Sequence, residues 1–246
     1  MNKKVALIVG SNGGIGLETV NLMLDKGINV CCAYNKNTGN LEKLMCEDKP
    51  GSLSLHKADI SDNSSVESML KGVYENHSRI DIVVFSVALP TRNKQVLKME
   101  WIDFKERIEL QTRGLFNIIQ SMKDQIKEKH KTKFIVILTE YCIGKPPSGL
   151  ADYVTAKYSL MGFAKAMAVE LSKYNCTVNM ISPGMVKSDL TSGLPPKLIE
   201  ITVENNPLKR IAVPKDVANV VMFLSSDKSD YLNGANVTVN GGSIML

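Results

Sequence analysis

The sequence lacks the features of a membrane protein, a metalloprotein or a secreted disulfide scaffold. No apolar run approaches the roughly 20 residues that a membrane-spanning helix requires. The five cysteines are an odd number without metal-ligand spacing and the three histidines are scattered, so we expect reduced, mostly buried thiols and no metal site. The apolar run Val5–Val9 follows two lysines, but it ends at Gly10 and no small-residue cleavage site follows. This start predicts a first strand rather than a signal peptide, and a cytoplasmic protein.

Charge of one sign is also scarce. The 30 lysines and arginines exceed the 25 aspartates and glutamates by only five, and they are dispersed. The densest basic stretch, residues 123–133, falls at a predicted helix end, where it favours the helix dipole and solubility. Attraction to an acidic protein partner or a phosphorylated substrate is the alternative. No nucleic-acid-binding motif accompanies the stretch, so we expect neither nucleic acid nor a membrane as a partner.

The 246 residues, 44% of them hydrophobic, suit one α/β domain over residues 1–246. Strand-like and helix-like segments alternate, which predicts a doubly wound parallel sheet of about seven strands with helices on both faces, a Rossmann fold. The predicted strands are Val5–Val9, Asn29–Tyr34, Leu53–Ala58, Ile80–Phe85, Lys133–Leu138, Thr177–Ser182 and Ala235–Val239. The predicted helices are Ile15–Lys26, Ser64–Glu75, Trp101–Lys129 with a bend near Gly114, Ala151–Tyr174 and Val217–Ser225.

Tyr153 and Lys157 are spaced one helical turn apart, so they lie on the same face of the predicted helix. A phenol has an ordinary pKa of about 10 and is a poor acid or base at neutral pH. A neighbouring ammonium stabilises the phenolate and lowers that pKa, which permits proton exchange with an alcohol or carbonyl. The alternative interpretation of the spacing alone is a surface aromatic beside a solvated lysine.

A glycine-rich turn lies between the first buried strand and the first helix. Glycines let the backbone approach a pyrophosphate, and the N–H groups at a helix N-terminus favour its negative charge. The turn and the Tyr–Lys pair together predict a nicotinamide-dependent carbonyl or alcohol oxidoreductase. The turn residues assigned to the cofactor are Gly10, Ser11, Asn12, Gly14, Ile15 and Gly16.

Several motifs, in order along the chain, extend this pattern. Over essentially its whole length the chain resembles a short-chain dehydrogenase/reductase, and within that family most closely the 3-oxoacyl-carrier-protein reductases and their relatives. The matching residues are Gly10, Gly14, Gly16, Ala58-Asp59, Asp81, Tyr153, Lys157, Asn179, Pro183-Gly184, Pro214 with Asp216-Val217-Ala218, Phe223-Leu224-Ser225-Ser226 and Asn240-Gly241-Gly242.

The resemblance implies roles for residues outside the turn. Asp59 would contact the adenine, and Lys157 would hold the nicotinamide ribose. The alternative for Asp59 is a turn or capping aspartate before Ser61-Asp62. The other residues assigned to the cofactor are Ile60, Ser86, Pro183, Gly184, Val186 and Ser188.

The choice of cofactor depends on the end of the second strand. An acid there would bind the ribose 2′-hydroxyl and repel a 2′-phosphate. Tyr34 stands where relatives that use NAD often carry that acid, and Asn35 and Lys36 offer a donor and a positive charge instead. NADP(H) is therefore favoured, although Gly13 stands where many NADP-dependent relatives have a basic residue.

The chain departs from the family pattern at the predicted site. Glu140 stands thirteen residues before Tyr153, where the family has a substrate-orienting serine. An ionised glutamate cannot donate a hydrogen bond and would oppose a developing alkoxide. Four interpretations stay open: Glu140 is a neutral acid that donates, it binds a cationic or hydroxylated substrate, Thr139 supplies the hydroxyl after a local rearrangement, or reductase activity is lost.

Two further departures surround the same pocket. Gln111 falls where the family has an asparagine that organises a water chain to the lysine, and its longer amide could preserve that role. Phe85-Ser86-Val87-Ala88 replaces the usual Asn-Asn-Ala-Gly after the fourth strand. These substitutions indicate either specialisation or decay of the site.

The sequence thus predicts an NADP(H)-dependent reductase of a carbonyl, with a 3-oxoacyl group on a carrier protein as the candidate substrate. The rival hypothesis is a catalytically impaired family member that acts as a cofactor-binding or subunit-pairing protein. The family's habit of pairing through the helices at 101–129 and 151–174 predicts a homotetramer or homodimer, with a hetero-oligomer as the alternative.

Overall fold

Residues 3–188 and 191–245 are described by a computed structural model of the chain. Within these residues, seven strands form one parallel sheet in the order β3-β2-β1-β4-β5-β6-β7, which confirms the predicted fold. The strands are β1 (Val5–Val9), β2 (Asn29–Tyr34), β3 (Leu53–Lys57), β4 (Ile82–Phe85), β5 (Thr132–Ile137), β6 (Cys176–Pro183) and β7 (Asn236–Val239).

The strand order reverses at β1, which pairs with β2 on one side and with β4 on the other. Val9 at the end of β1 is opposite Ala33 of β2 and Phe85 of β4. The carboxyl ends of the three strands therefore meet at one edge of the sheet. In open parallel sheets, ligands bind at this kind of switch point.

Helices cover both faces of the sheet. β1 is apolar throughout, as expected for a strand that is buried on both faces, and its side chains alternate between two cores. Val5, Leu7 and Val9 belong to one core, and Ala6 and Ile8 belong to the other. The helices are α1 (Gly14–Asp25), α2 (Leu41–Met45), α3 (Asn63–Asn76), α4 (Trp101–Ile108), α5 (Gly114–Ser121), α6 (Lys123–Lys127), α7 (Ala151–Glu170), α8 (Pro196–Asn205) and α9 (Pro214–Leu224).

The helix predicted over 101–129 is divided into three. A π-helical turn, Glu109–Arg113, separates α4 from α5, so the irregularity precedes Gly114 rather than centring on it. The proline-punctuated stretch after β6 contains α8, which begins with Pro196 at its first position, where a missing N–H costs nothing. No described helix combines the length and hydropathy needed to cross a membrane.

Candidate active site

A cavity of about 520 Å³ opens at the carboxyl edge of the sheet, beside the switch point. It extends from the glycine-rich turn, past the residues that follow β4, to the first turns of α7 and the segment after β6. The predicted site residues that line it are Gly14, Ile15, Ser86, Thr139, Tyr153, Lys157, Pro183, Gly184, Val186 and Ser188. Other predicted residues lie around or behind this cavity.

The glycine-rich turn packs backbone directly against backbone. Gly10 has φ +85°, and a Cβ there would lie 2.5 Å from the Ser86 carbonyl oxygen. A Cβ on Gly16 would lie 2.1 Å from the carbonyl oxygen of Gly10. Gly13 has ordinary space, with 3.7 Å to its nearest neighbour. The turn therefore leaves an open cradle at the N-terminus of α1, which fits the diphosphate of a dinucleotide.

The polar side chains of the turn face away from the cavity. Ser11 is fully buried, and its hydroxyl donates to the Ala33 carbonyl oxygen at 3.0 Å. The Asn12 amide donates to the Asn37 Oδ1 at 2.7 Å and so joins the turn to the segment after β2. Asn35 and Lys36 lie in that segment and are exposed. Any contact of Ser11 with a cofactor would thus come from its backbone.

Asp59 and Ile60 have structural partners of their own. The Asp59 carboxylate accepts hydrogen bonds from the Ser61 N–H at 3.0 Å and from the Ser61 hydroxyl at 2.6 Å. The turn aspartate considered above is therefore present in the structure, whereas the adenine contact stays a prediction. Ile60 is buried against Gly114, and its carbonyl oxygen accepts from the Asn117 amide at 2.9 Å.

Tyr153 and Lys157 are both buried on α7. Burial raises the pKa of Tyr153 to about 12, and a hydrogen bond from Thr139 opposes that rise. The net shift of the Tyr153 pKa is opposite to the lowering expected from Lys157, because loss of hydration outweighs the hydrogen bond from Thr139. Burial also lowers the pKa of Lys157 to about 8. The phenol is therefore protonated at neutral pH, which is the form that donates a proton.

The Lys157 ammonium is held by backbone carbonyl groups at two strand ends. It donates to the Ile137 carbonyl oxygen at 2.8 Å and to the Val87 carbonyl oxygen at 3.4 Å. Within the described residues these two carbonyl groups are its hydrogen-bond acceptors, and Lys157 also lines the cavity.

Thr139, not Glu140, faces Tyr153. Thr139 follows β5 in an extended conformation, and its hydroxyl accepts from the Tyr141 N–H at 3.4 Å. Thr139 and Tyr141 both line the cavity. Neighbouring residues in extended backbone point in opposite directions, so Glu140 turns the other way.

The Glu140 carboxylate is buried behind the cavity wall. Its Oε2 accepts a hydrogen bond from the Ser243 hydroxyl near the C-terminus. A Cβ on Gly184 would lie 3.3 Å from the same oxygen, so the carboxylate sits behind the segment that follows β6. Among the residues described, Glu140 forms no ion pair within 4.0 Å.

Gln111 occupies the π-helical turn and is fully buried. Within the described part of the chain, neither its amide nitrogen nor its amide oxygen has a hydrogen-bond partner. Buried amides without a protein partner commonly bind internal water. The position is thus compatible with the water-organising role that the resemblance implies.

A buried ion pair beside the site was not predicted. The Arg107 guanidinium of α4 donates to the Asp152 carboxylate, one residue before Tyr153. It also donates to the carbonyl oxygens of Leu89 at 3.1 Å and Pro90 at 2.7 Å. Arg107 therefore joins α4, the start of α7 and a loop of the cavity wall. The sequence shows Asp152 next to Tyr153, but a single sequence does not identify Arg107, 45 positions earlier, as the partner of Asp152.

Comparison with known proteins shows similarity along the whole chain. The family model described as Enoyl-(Acyl carrier protein) reductase matches residues 9–243. The 3-oxoacyl-(acyl-carrier-protein) reductase FabG of Staphylococcus epidermidis is 31% identical, with 100% of each chain covered. The Thermotoga maritima protein of the same name is 30% identical, with 98% of each chain covered.

Solved structures agree with these sequence comparisons. A Brucella melitensis protein described as a short-chain dehydrogenase/reductase, glucose/ribitol dehydrogenase, superposes with a TM-score of 0.90 at 25% identity. The superposition covers 99% of this chain and 97% of that chain. The glycine-rich turn and the Tyr–Lys pair therefore occur in a framework shared from end to end.

Proposed function

The chain belongs to the short-chain dehydrogenase/reductase family and is an oxidoreductase of the ketoreductase type, and from that premise we propose that it reduces a 3-oxoacyl thioester on an acyl carrier protein with NADPH. The observation that carries this proposal is the buried Tyr153, which lines the cavity together with Thr139 and Lys157. Relatives named for 3-oxoacyl-carrier-protein reduction support the substrate class.

The open cradle at the glycine-rich turn and the cavity beside it fit a nicotinamide dinucleotide. The turn Gly10–Gly16 would hold the diphosphate, Lys157 the nicotinamide ribose, and Pro183, Gly184, Val186 and Ser188 the nicotinamide side. When bound, the reduced nicotinamide supplies a hydride for the carbonyl carbon. Asn35 and Lys36, exposed beside the turn, would bind a 2′-phosphate and favour NADPH over NADH.

Tyr153 donates its phenolic proton to the carbonyl oxygen of the substrate. Thr139 orients that oxygen with its hydroxyl, in the role that the family gives to a serine. Lys157 keeps a positive charge close to the site at neutral pH and thereby favours the phenolate that forms after proton transfer. The Gln111 amide would bind internal water that leads to Lys157, and Tyr153 would be reprotonated by that route. Glu140, which faces Ser243, orients no substrate in this scheme.

The outer part of the cavity is suited to an acyl chain. Tyr141 and Leu150, together with Leu194 and Leu198 from the segment around α8, are among the residues that line the cavity. Apolar walls favour a substrate with a hydrocarbon portion over a cationic one.

The test is oxidation of NADPH by a panel containing a 3-oxoacyl thioester, a 2-enoyl thioester and a simple ketone. We expect the 3-oxoacyl thioester to be reduced fastest, and Thr139→Val to slow it while Thr139→Ser does not. Preference for the enoyl thioester would contradict the carbonyl assignment. A wild type that binds NADPH yet reduces nothing would favour the rival, a non-catalytic cofactor-binding or subunit-pairing protein.

The same preparation tests the cofactor assignment. We expect NADPH to bind more tightly than NADH, and Lys36→Ala to reduce that difference. Because the 2′-phosphate interaction is largely electrostatic, the preference should weaken as salt concentration rises. Equal dissociation constants for the two cofactors in the wild type would contradict the NADP assignment.

We also propose a homo-oligomer, a homodimer or homotetramer, that forms through α5 and α7. Phe116 on α5 and Val169 on α7 are exposed apolar side chains, and Phe116 packs against Phe163 of α7. Light scattering at micromolar concentration gives the mass in solution. A strictly monomeric mass would contradict the proposal, and a complex formed only with a second kind of chain would indicate a hetero-oligomer.

A further inference from the structure

The contact between Glu140 and Ser243 joins two segments that are far apart in sequence. Glu140 belongs to the 139–144 loop, which carries Thr139 into the cavity. Ser243 belongs to the C-terminal turn, residues 240–245. Glu140 is buried at one end of this contact, and Ser243 at the other end is exposed.

The C-terminal turn is itself well anchored. The Asn240 amide donates to the Ile244 carbonyl oxygen at 2.9 Å, and the Ser243 N–H donates to the Asn240 carbonyl oxygen at 3.2 Å. The Asn206 amide, just after α8, donates to that same Asn240 oxygen at 2.8 Å. The turn is therefore a fixed point for the loop rather than a free end.

The loop meets the turn at a second place. A Cβ on Gly144 would lie 2.4 Å from the Ile244 Cδ1, so the loop packs closely against that side chain. Within the loop, the N–H groups of Ile143 and Gly144 both donate to the Glu140 carbonyl oxygen, at 2.9 and 3.1 Å. The Glu140 backbone carbonyl thus accepts the hydrogen bonds within the loop, and its carboxylate makes the contact with the C-terminal turn.

The alternating direction of neighbouring side chains links this attachment to the chemistry. Thr139 and Glu140 point to opposite sides of an extended backbone. A rotation that brought Glu140 toward the cavity would carry the Thr139 hydroxyl away from Tyr153. A Glu140 carboxylate that is held away from the cavity therefore keeps the Thr139 hydroxyl directed toward Tyr153.

We propose that Glu140 is a positioning residue, whose carboxylate binds Ser243 of the C-terminal turn and thereby fixes the 139–144 loop with Thr139 toward Tyr153. This inference rests on the proposed function, because it gives Thr139 the role of the family's serine. It also explains how the chain accommodates a glutamate at the serine position.

The test compares Glu140→Ala and Ser243→Ala with two controls. Glu140→Gln keeps an acceptor for Ser243, and Ser226→Ala removes an exposed serine hydroxyl whose bond is to the Phe223 carbonyl oxygen. Amide hydrogen exchange of residues 142–144 is measured without substrate, and kcat, KM and the NADPH dissociation constant are measured with the 3-oxoacyl thioester.

Loss of the contact should speed exchange in the loop by about tenfold or more. Because a small misplacement of a catalytic group slows turnover strongly, kcat should fall about tenfold in both alanine variants, with NADPH affinity unchanged. The double variant should be no worse than Glu140→Ala, and Glu140→Gln should restore most of the loss. Ser226→Ala should match the wild type in every measurement.

Two results would overturn the proposal. Unchanged exchange of residues 142–144 in Glu140→Ala would show that the carboxylate does not hold the loop. An equal loss from Thr139→Val in wild-type and Ser243→Ala backgrounds would show that the contact does not act through Thr139. A wild type without activity overturns the proposed function instead, and the exchange data then decide by themselves whether Glu140 holds the loop.

Discussion

The two sides of the cavity are built in different ways. The cofactor side consists of backbone: the glycine-rich turn, the Ser86 carbonyl and the Pro183-Gly184 segment, where added side chains would collide. The reaction side consists of polar side chains in pairs. Thr139 with Tyr153 and Arg107 with Asp152 are buried pairs, and the buried Glu140 pairs with the exposed Ser243. A backbone site needs the absence of side chains, whereas a side-chain site needs each partner in place.

This difference determines how each side fails. On the cofactor side, damage comes from adding atoms to a glycine. On the reaction side, damage comes from removing one member of a pair, because the other member is then buried without a partner.

The largest effect is expected from Tyr153→Phe, which removes the proton donor and keeps the ring. Turnover should fall by about 10² to 10⁴ because general acid assistance is lost, with little change in NADPH affinity. Steady-state kinetics and cofactor titration separate the two quantities. Tyr158→Phe, an exposed tyrosine on the same helix, is the control and should keep wild-type kcat. Equal turnover in both variants would contradict a catalytic Tyr153.

The second effect is on stability. Arg107→Met leaves the Asp152 carboxylate buried without its cation, which should cost about 3–5 kcal/mol of unfolding free energy. Arg210→Met, at an exposed pair with Asp216, is the matched control and should cost far less, because solvent screens exposed ion pairs. Urea denaturation measures both.

A double variant, Arg107→Met with Asp152→Leu, sharpens this comparison. Because it removes both charges, it should recover much of the stability lost in Arg107→Met. No recovery would mean that the carbonyl contacts of Arg107 with Leu89 and Pro90, rather than the ion pair, stabilise the loop.

The third prediction concerns the buried ammonium. The pKa of Lys157 is lowered to about 8 from 10.5, so the unfolded chain binds this proton more tightly than the folded chain. Folding stability is therefore diminished below pH 8 and recovers as the pH rises from about 8 to about 10.5. Lys157→Met removes this penalty and should stabilise the fold by roughly 3 kcal/mol at neutral pH while turnover is lost.

Thermal unfolding at neutral and at alkaline pH checks that prediction. The advantage of Lys157→Met over the wild type should shrink at the higher pH. Lys165→Met, an exposed lysine of the same helix, should show no such trend. A variant that is less stable than the wild type at neutral pH would mean that the carbonyl contacts of Lys157 outweigh its burial.

The smallest effect belongs to the cofactor side. Gly16→Ala places a Cβ against the Gly10 carbonyl oxygen and should cost about 1–3 kcal/mol in NADPH binding as the turn shifts. Gly13→Ala meets only ordinary contact distances and should leave NADPH affinity nearly unchanged. Isothermal titration calorimetry measures the NADPH affinity of both variants. Equal affinities would contradict the description of the cofactor side as a site built from backbone.

The contrast also explains what could be predicted from the sequence. Strands buried on both faces, such as β1 and β2, are continuous apolar runs, and their predicted bounds match the structure. The π-helical turn and the short α2 have no periodicity that sets them apart, so neither was predicted. The glycines of the cofactor side could be predicted from the sequence because they recur at a fixed spacing between a strand and a helix.

The reaction side could be predicted only where its partners are close in sequence. Tyr153 and Lys157 are one helical turn apart, and both line the cavity as the spacing indicated. The opposite directions of Thr139 and Glu140 follow from strand geometry, but that geometry does not say which of the two faces the cavity, and Thr139 was an alternative only with a local rearrangement. The contacts of Arg107 with Asp152 and of Glu140 with Ser243 cross 45 and 103 positions, and a single sequence carries no signal for them.

The cysteines provide chemical probes of the local and global opening of the fold. Cys46 is exposed, whereas Cys31, Cys32, Cys142 and Cys176 are buried, and burial raises the pKa of each buried thiol. Thiolates are the reactive form of cysteine. A maleimide reagent should therefore modify Cys46 rapidly, and it should modify the four buried cysteines only when their surroundings open. Cys142 lies in the 139–144 loop and would time local opening beside Tyr153, while Cys31 and Cys32 in the centre of β2 would time disruption of the sheet.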